Sequence, residues 1–359
     1  MRASRFPALA LLLTLGFLSA VDGSAAAAQA GQGPPLLPPP VVGGRAAYPP
    51  SPPSASGRRA WPPPPAPTRI RFIRSIDPEA VRGKPSFLSR VVRVLVGGRA
   101  APRMVQPYGI AIGPDRKIYV ADTFGKAIHV YDLDRSGYST INVDGQSLIG
   151  VVFAGGCCLF VTDSASGRVL RLDTKGHTIW TLGRKQGFER PTGIAAAADR
   201  LYVVDTMRHR VVVVSLAGEI IGSFGERGAE PGQFNFPTNI ARASDGRLYV
   251  TDTMNFRVQV FDAEGRYLRA FGRVGDGSGD FGKPKGIAVD SGGHIYVVEG
   301  FNDVVQIFDE AGRLLLVFGE SGSAFGQFWL PTGIAIVNDL VYVADSANRR
   351  VQIFEYLKD

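Results

Sequence analysis

The run Pro237-Thr238-Asn239-Ile240-Ala241-Arg242, a break at Ser244-Asp245-Gly246, Leu248-Tyr249-Val250-Thr251-Asp252, a break at residues 253–256, Arg257-Val258-Gln259-Val260-Phe261 and finally Tyr267-Leu268-Arg269-Ala270-Phe271-Gly272 decides the fold. Within each piece the apolar side chains recur at every second position, and Val, Ile, Tyr and Phe dominate. That is the period of a pleated strand rather than of a helix. Asp, Ser and Gly at the breaks supply turn chemistry. The run therefore reads as four short strands joined by tight turns.

The same unit occurs six times. Its opening residue is Pro107, Leu148, Pro191, Pro237, Pro284 or Pro331, and its second strand ends on an acid: Asp122, Asp163, Asp205, Asp252, Glu299 or Asp345. The acids are 41, 42, 47, 47 and 46 residues apart, and each lies 14 or 15 residues after its opening residue. A period of this length marks a repeat architecture. One four-stranded meander leaves both faces wet, whereas six packed around an axis bury them and expose only short edges. The expected fold is all-β, a six-bladed β-propeller over residues 69–359. The sixth unit stops after its third strand. Residues 90–97 (RVVRVLVG) have the pattern of a fourth strand, so we expect them to pair with residues 351–354, complete the last blade and protect the ring's edges. Ile70 to Ile76 is expected to lie against the closed blade.

The Pro-x-Gly-Ile-Ala opening, the Tyr-Val-x-Asp-Thr turn, the Asn-x-Arg-Val-Gln-Val-Phe strand and the links Gly232-Gln233-Phe234 and Gly326-Gln327-Phe328 resemble NHL repeats over residues ~88–359. The second repeat departs most, with Leu148 for Pro and Ser166 for Asn, and the fifth carries Glu299 for Asp and Val304 for Arg. The resemblance implies a rigid interaction platform. It also brings alternatives: an enzyme of the lactonase or amidating-lyase kind, or a single-stranded RNA binder.

Before the repeats the composition changes twice. Arg2 and Arg5 precede an apolar stretch from Phe6 to Val21, and Ala28-Gln29-Ala30 is a small-residue cleavage pattern, so residues 1–30 read as a signal peptide cleaved near Ala30. An uncleaved anchor is the alternative reading, with no transmembrane segment beyond it. Residues 31–68 hold 14 of the 25 prolines and read as a disordered, extended spacer without helix or sheet. The chain is expected to be exported, periplasmic or secreted, and monomeric. Its net charge of +8 divides evenly, because residues 1–68 carry five Arg and one Asp and the rest carries 35 basic and 31 acidic side chains. A domain charge of +4 argues against nucleic acid as partner. Cys157 and Cys158 are too few for a disulfide framework and read as two packed or turn-facing thiols before a strand, with a strained bridge between the two neighbours as the alternative.

The acids invite a metal reading. Against it, an Asp entering a tight turn accepts bonds from nearby backbone N–H groups, and Arg168, Arg210, Arg257 and Arg350 each follow an acid by five residues. A residue repeated in every unit serves the unit, so all six acids are assigned to the turns. His129, His177, His209 and His294 fall at four different repeat positions, whereas zinc needs ligands converging on one point. Residues 275–280 resemble the start of a calcium loop, but Ile287 stands where its last acid is required. No nucleophile elbow, phosphate loop or His-Glu-x-x-His is present. No cofactor, metal or catalytic constellation is expected, and the chain is read as no enzyme.

What remains is a loop face. The residue after each opening Pro (Tyr108, Thr192, Thr238, Lys285, Thr332) with Asn239, and the turn after each acid (Lys126, Arg208, Phe256, Arg257, Phe301, Arg349), are the candidate partner-binding residues. Exposed aromatics beside Arg are typical of interfaces. The expected role is non-catalytic recognition of a protein or a cell-envelope polymer.

Overall fold

The computed structural model describes residues 59–63, 65–77, 103–156 and 158–358. Six antiparallel sheets surround an axis, and the inner strands are Pro107–Ile112, Leu148–Ala154, Pro191–Ala196, Pro237–Arg242, Pro284–Val289 and Pro331–Val337. Each inner strand lies against the next, and the last returns to the first, so the ring is closed. Side chains between neighbouring sheets form the core. One such layer joins Tyr249, Val258 and Val260 of blade four to Ile287, Val297 and Phe308 of blade five.

Blade six closes the ring, but with a different segment from the one expected. Ile70–Ile76 pairs antiparallel with Arg350–Tyr356, from Ile70 opposite Tyr356 to Ile76 opposite Val351. The expectation that residues 90–97 take this place is thereby corrected, and those residues lie outside the described ones. Both segments carry an apolar alternation that fits an outer strand, and strand pattern alone does not rank them. Ala60–Trp61 adds a fifth strand beside Ile70–Ile76. The reading of residues 31–68 as spacer throughout is therefore corrected at its C-terminal end. Trp61 is buried among Phe318, Phe328 and Phe354, and one large aromatic ring in a core outweighs the proline-rich composition around it. The signal-peptide reading falls outside the described residues, and no helix among those described is long and apolar enough to cross a membrane.

The repeat signature has a mechanical cause. In every blade the register slips between the opening residue and the strand that follows, a β-bulge that turns the chain in towards the axis. There the glycine of Pro-x-Gly lets adjacent inner strands touch. A Cβ on Gly109 would lie 2.3 Å from the Ile149 carbonyl oxygen, and one on Gly333 would lie 1.9 Å from that of Tyr108. Only hydrogen fits such a contact. Blade four has Asn239 at this position, with its side-chain oxygen accepting from the Ile240 N–H at 2.9 Å.

Candidate functional site

The six acids are fully buried and hold the link that leads into their own blade. Asp122 accepts from the backbone N–H groups of Val105, Gln106 and Gly125 and faces His129 Nε2 at 3.0 Å. Asp252 accepts from Asn235 N–H at 2.6 Å, from Arg257 Nε at 2.8 Å and from Gln259 Nε2 at 3.0 Å. Asp345 repeats that set with Trp329, Arg350 and Gln352. Asp163 receives Ser147 N–H and Arg168, Asp205 receives Arg190 N–H, and Glu299 receives Lys283 N–H. Burial opposes ionisation of Asp122, but the bonds from His129 and the backbone outweigh it and hold its carboxyl below the ordinary range. In Glu299 burial wins and pushes the carboxyl up, as it does in Asp205 and Asp345.

The residue after the acid does a second job that sequence reading missed. Thr206 donates from Oγ1 to the Pro237 carbonyl at 2.7 Å, Thr253 to that of Pro284 at 2.8 Å and Thr123 to that of Leu148 at 3.1 Å. Ser346 does the same to Pro107, across the closure of the ring. The Asp of Asp-Thr thus ties a blade to its own link, and the Thr ties it to the next blade. The signal was present in the repeated Thr or Ser. It lacked meaning until the blades were placed side by side.

The axis itself is constricted. Ile110, Val151, Ile194, Ile240, Ile287 and Ile334 narrow it to a space of about 70 Å³. On the loop face, above this constriction, a cup of about 710 Å³ opens over blades one to three and reaches Thr238 of blade four. It draws on three repeat positions: the residue after the opening Pro (Tyr108, Thr192, Thr238), the residues just before it (Gln106, Ser147, Arg190) and the turn after the acid (Phe124, Lys126, Ser164). Lys126 and Arg190 are exposed, and neither has a carboxylate partner among the described residues. Among the described residues the Arg190 side chain makes one long contact, from Nε to Ser164 Oγ at 3.4 Å. Phe124, 66% exposed, stands at the cup's edge. Burial pushes the Tyr108 phenol up to about 12, with Arg190 pulling the other way, so its hydroxyl keeps its proton.

Four of the twelve candidate surface residues, Tyr108, Lys126, Thr192 and Thr238, line this cup. Asn239 sits deeper, at the constriction. Several others are committed elsewhere. Arg257 is bound to Asp252 and to the carbonyls of Glu230 and Gln233, and Phe256 packs against the core of blades four and five. Thr332 is buried, bonded to Ser346 and to the Pro107 carbonyl. The expectation that these three face a partner is corrected, because each is consumed by packing or blade-to-blade bonding. Arg208 pairs with Glu189 at 2.9 Å, while Arg349 and Phe301 remain exposed. Lys285 lies along Gly300, and burial together with nearby Lys283 lowers its amine to about 8. Gln106, Gln146, Ser147 and Arg190 went unnoticed because the reading stopped at the opening Pro instead of one or two residues before it.

No group of three or more potential metal ligands occurs among the described residues. His129 is buried between Asp122 and Tyr138, and His209 faces the Phe234 carbonyl and the Phe236 N–H. His177 and His294 each face the aspartate four residues earlier, Asp173 and Asp290. Cys158 is buried at the start of a strand, and Cys157 lies outside the described residues.

A family model described as a 6-bladed beta-propeller matches residues 238–314, and an NHL-repeat model matches residues 328–354. The chain is a six-bladed β-propeller with an NHL repeat in its last blade. Solved structures share this propeller's fold at low identity. Virginiamycin B lyase from Staphylococcus aureus is 14% identical, with 70% of this chain and 96% of that one covered and a TM-score of 0.54. A gluconolactonase from Xanthomonas campestris is 17% identical, with 70% and 86% covered and a TM-score of 0.57. An auxiliary nutrient binding protein from Bacteroides thetaiotaomicron is 13% identical, with 71% and 70% covered and a TM-score of 0.57. The expectation that the propeller is no enzyme does not stand, since a lyase and a gluconolactonase are built on the same disc. At these identities the likeness establishes the fold alone, so neither activity transfers to this chain.

Proposed function

We propose that this propeller is exported and binds a protein or a cell-envelope polymer through its loop face, with the ligand seated in the cup over blades one to three. The observation that supports the reading is the cup itself. It is open, it stands on a constricted axis, and its Lys126 and Arg190 side chains are exposed and have no carboxylate partner among the described residues. Its size suits a ligand of ordinary dimensions. The acids beneath it belong to the turns, so the rim presents cations, hydroxyls and one exposed ring.

The test is retention of the chain on a purified cell-envelope fraction. Phe124→Ala and Lys126→Ala on the loop face are compared with Arg116→Ala on the opposite end of the disc. Release of the bound material and its chemical alteration are both scored, because enzymes share the fold. Loss confined to the loop-face variants supports the reading, and equal behaviour of all three variants overturns it.

A further inference from the structure

This inference rests on the reading that the loop face binds. We propose that the cup takes a polyhydroxylated ligand carrying an oxyanion, the chemistry of an acidic sugar.

Two features carry it. The first is charge. Lys126 and Arg190 lie on the same cavity without carboxylate partners among the described residues, and the turn acids Asp122, Asp163 and Asp205 are fully buried and bonded to backbone N–H groups. Glu189, next to Arg190, is paired with Arg208. An oxyanion entering the cup therefore meets two cations and no carboxylate in its lining, and the guanidinium fork of Arg190 can hold it through two parallel bonds.

The second feature is the set of neutral polar groups around that charge. The side chains of Gln106, Tyr108, Gln146 and Ser147 line or border the cup and make no hydrogen bonds of their own among the described residues. Amides and hydroxyls both donate and accept, which is what a sugar hydroxyl requires. By contrast Thr192, Thr206 and Thr238 spend their hydroxyls on one another and on blade contacts, so the available groups sit on the blade-one and blade-two side. Phe124 offers a flat apolar face to the C–H surface of a sugar ring. A nucleic-acid strand fits less well, because it needs a track of cations and successive stacking platforms, whereas the cup has two cations, and of its two rings Phe124 is exposed and Tyr108 is half-buried.

The experiment is titration calorimetry on the full chain with tetragalacturonate, maltotetraose, glucose 6-phosphate and a short polyuridylate. Tetragalacturonate is expected to bind and maltotetraose to bind at least tenfold more weakly. Glucose 6-phosphate separates a demand for carboxylate from acceptance of phosphate. Arg190→Ala and Lys126→Ala should each weaken tetragalacturonate about tenfold, as loss of a charge-assisted bond implies, with melting temperatures unchanged because both side chains are exposed. Arg190→Lys should recover part of the loss. Equal affinity for maltotetraose, tighter binding of polyuridylate, or indifference to both substitutions would overturn the inference. If neither acidic sugar binds while loop-face variants still lose envelope retention, this inference fails and the loop-face reading stands. If retention is also unaffected, both fail.

Discussion

The indole of Trp61 meets the ring of Phe354 edge-on, with centroids 5.9 Å apart. The contact pins a proline-rich approach segment to the last strand of the disc, 293 residues later in the sequence (354 minus 61). Trp61 also meets Phe318 of blade five at 5.9 Å, so it fastens two blades at once. Trp61→Ala should destabilise the chain by about 3–5 kcal/mol, the range for removing a buried aromatic, measured by urea unfolding. A chain beginning at residue 78, which lacks both added strands of blade six, should lose cooperative unfolding altogether. Full stability in either case would mean that the two strands are ornament on an already closed ring.

The hydroxyl of Thr206 on the Pro237 carbonyl makes a narrower prediction. Thr206→Val keeps the shape and removes the bond, at a cost of about 1 kcal/mol or somewhat more for the carbonyl left behind. Thr253→Val should behave alike, and the double variant should be close to additive, since the two bonds join different pairs of blades. Melting curves of the three variants decide the matter.

Breaking an acid's cluster should cost more. Asp252→Ala leaves the half-buried Arg257 and the fully buried Gln259 without their carboxylate and removes the acceptor of Asn235 N–H, so a loss of about 3–5 kcal/mol is expected. The acids also differ in pH response. Asp122 and Asp163 are held below the ordinary range, Asp122 mainly by His129 and backbone bonds set against burial, and Asp163 by Ser166, Ser147 and Arg168 set against the same penalty. A depressed carboxyl stabilises the fold above its unfolded value, and that contribution disappears as pH falls through the folded one. Asp122→Asn should therefore flatten the fall in stability on acidification below about pH 4, read from unfolding midpoints across pH.

Lys285 runs the opposite way. Burial brings its amine to about 8, below the ordinary 10.5. Between those values the unfolded chain holds the proton that the folded chain has lost, so stability rises with pH across this window, and below it the charged amine weighs on the fold. Lys285→Met should raise the melting temperature at neutral pH, with an advantage that shrinks to nothing near pH 10.5. An advantage independent of pH would point to packing rather than charge.

Much of the architecture was legible in the residues. Six acids at a near-constant interval, each behind an aromatic-Val strand, count the blades, and the period-two pattern within each unit supplies the strands. The loop-face site was half legible. Tyr108, Thr192 and Thr238 share a repeat position and so announced themselves together, whereas Gln146 and Arg190 stand in links whose composition differs from blade to blade. Arg257 and Phe256 carry the same letters a binding surface would carry, and only their neighbours reveal that they are committed.

The sequence by itself determined the number of blades, their strands and the closing of the ring by a segment from the N-terminal side, because local alternation and turn chemistry act within a few residues and leave their mark in the order of letters. Tertiary structure alone decided which segment closes the ring, which arginines remain unpaired and where the cup opens. Those outcomes depend on contacts between residues tens to hundreds of positions apart, and burial and pairing are settled only when those residues share the same few ångströms.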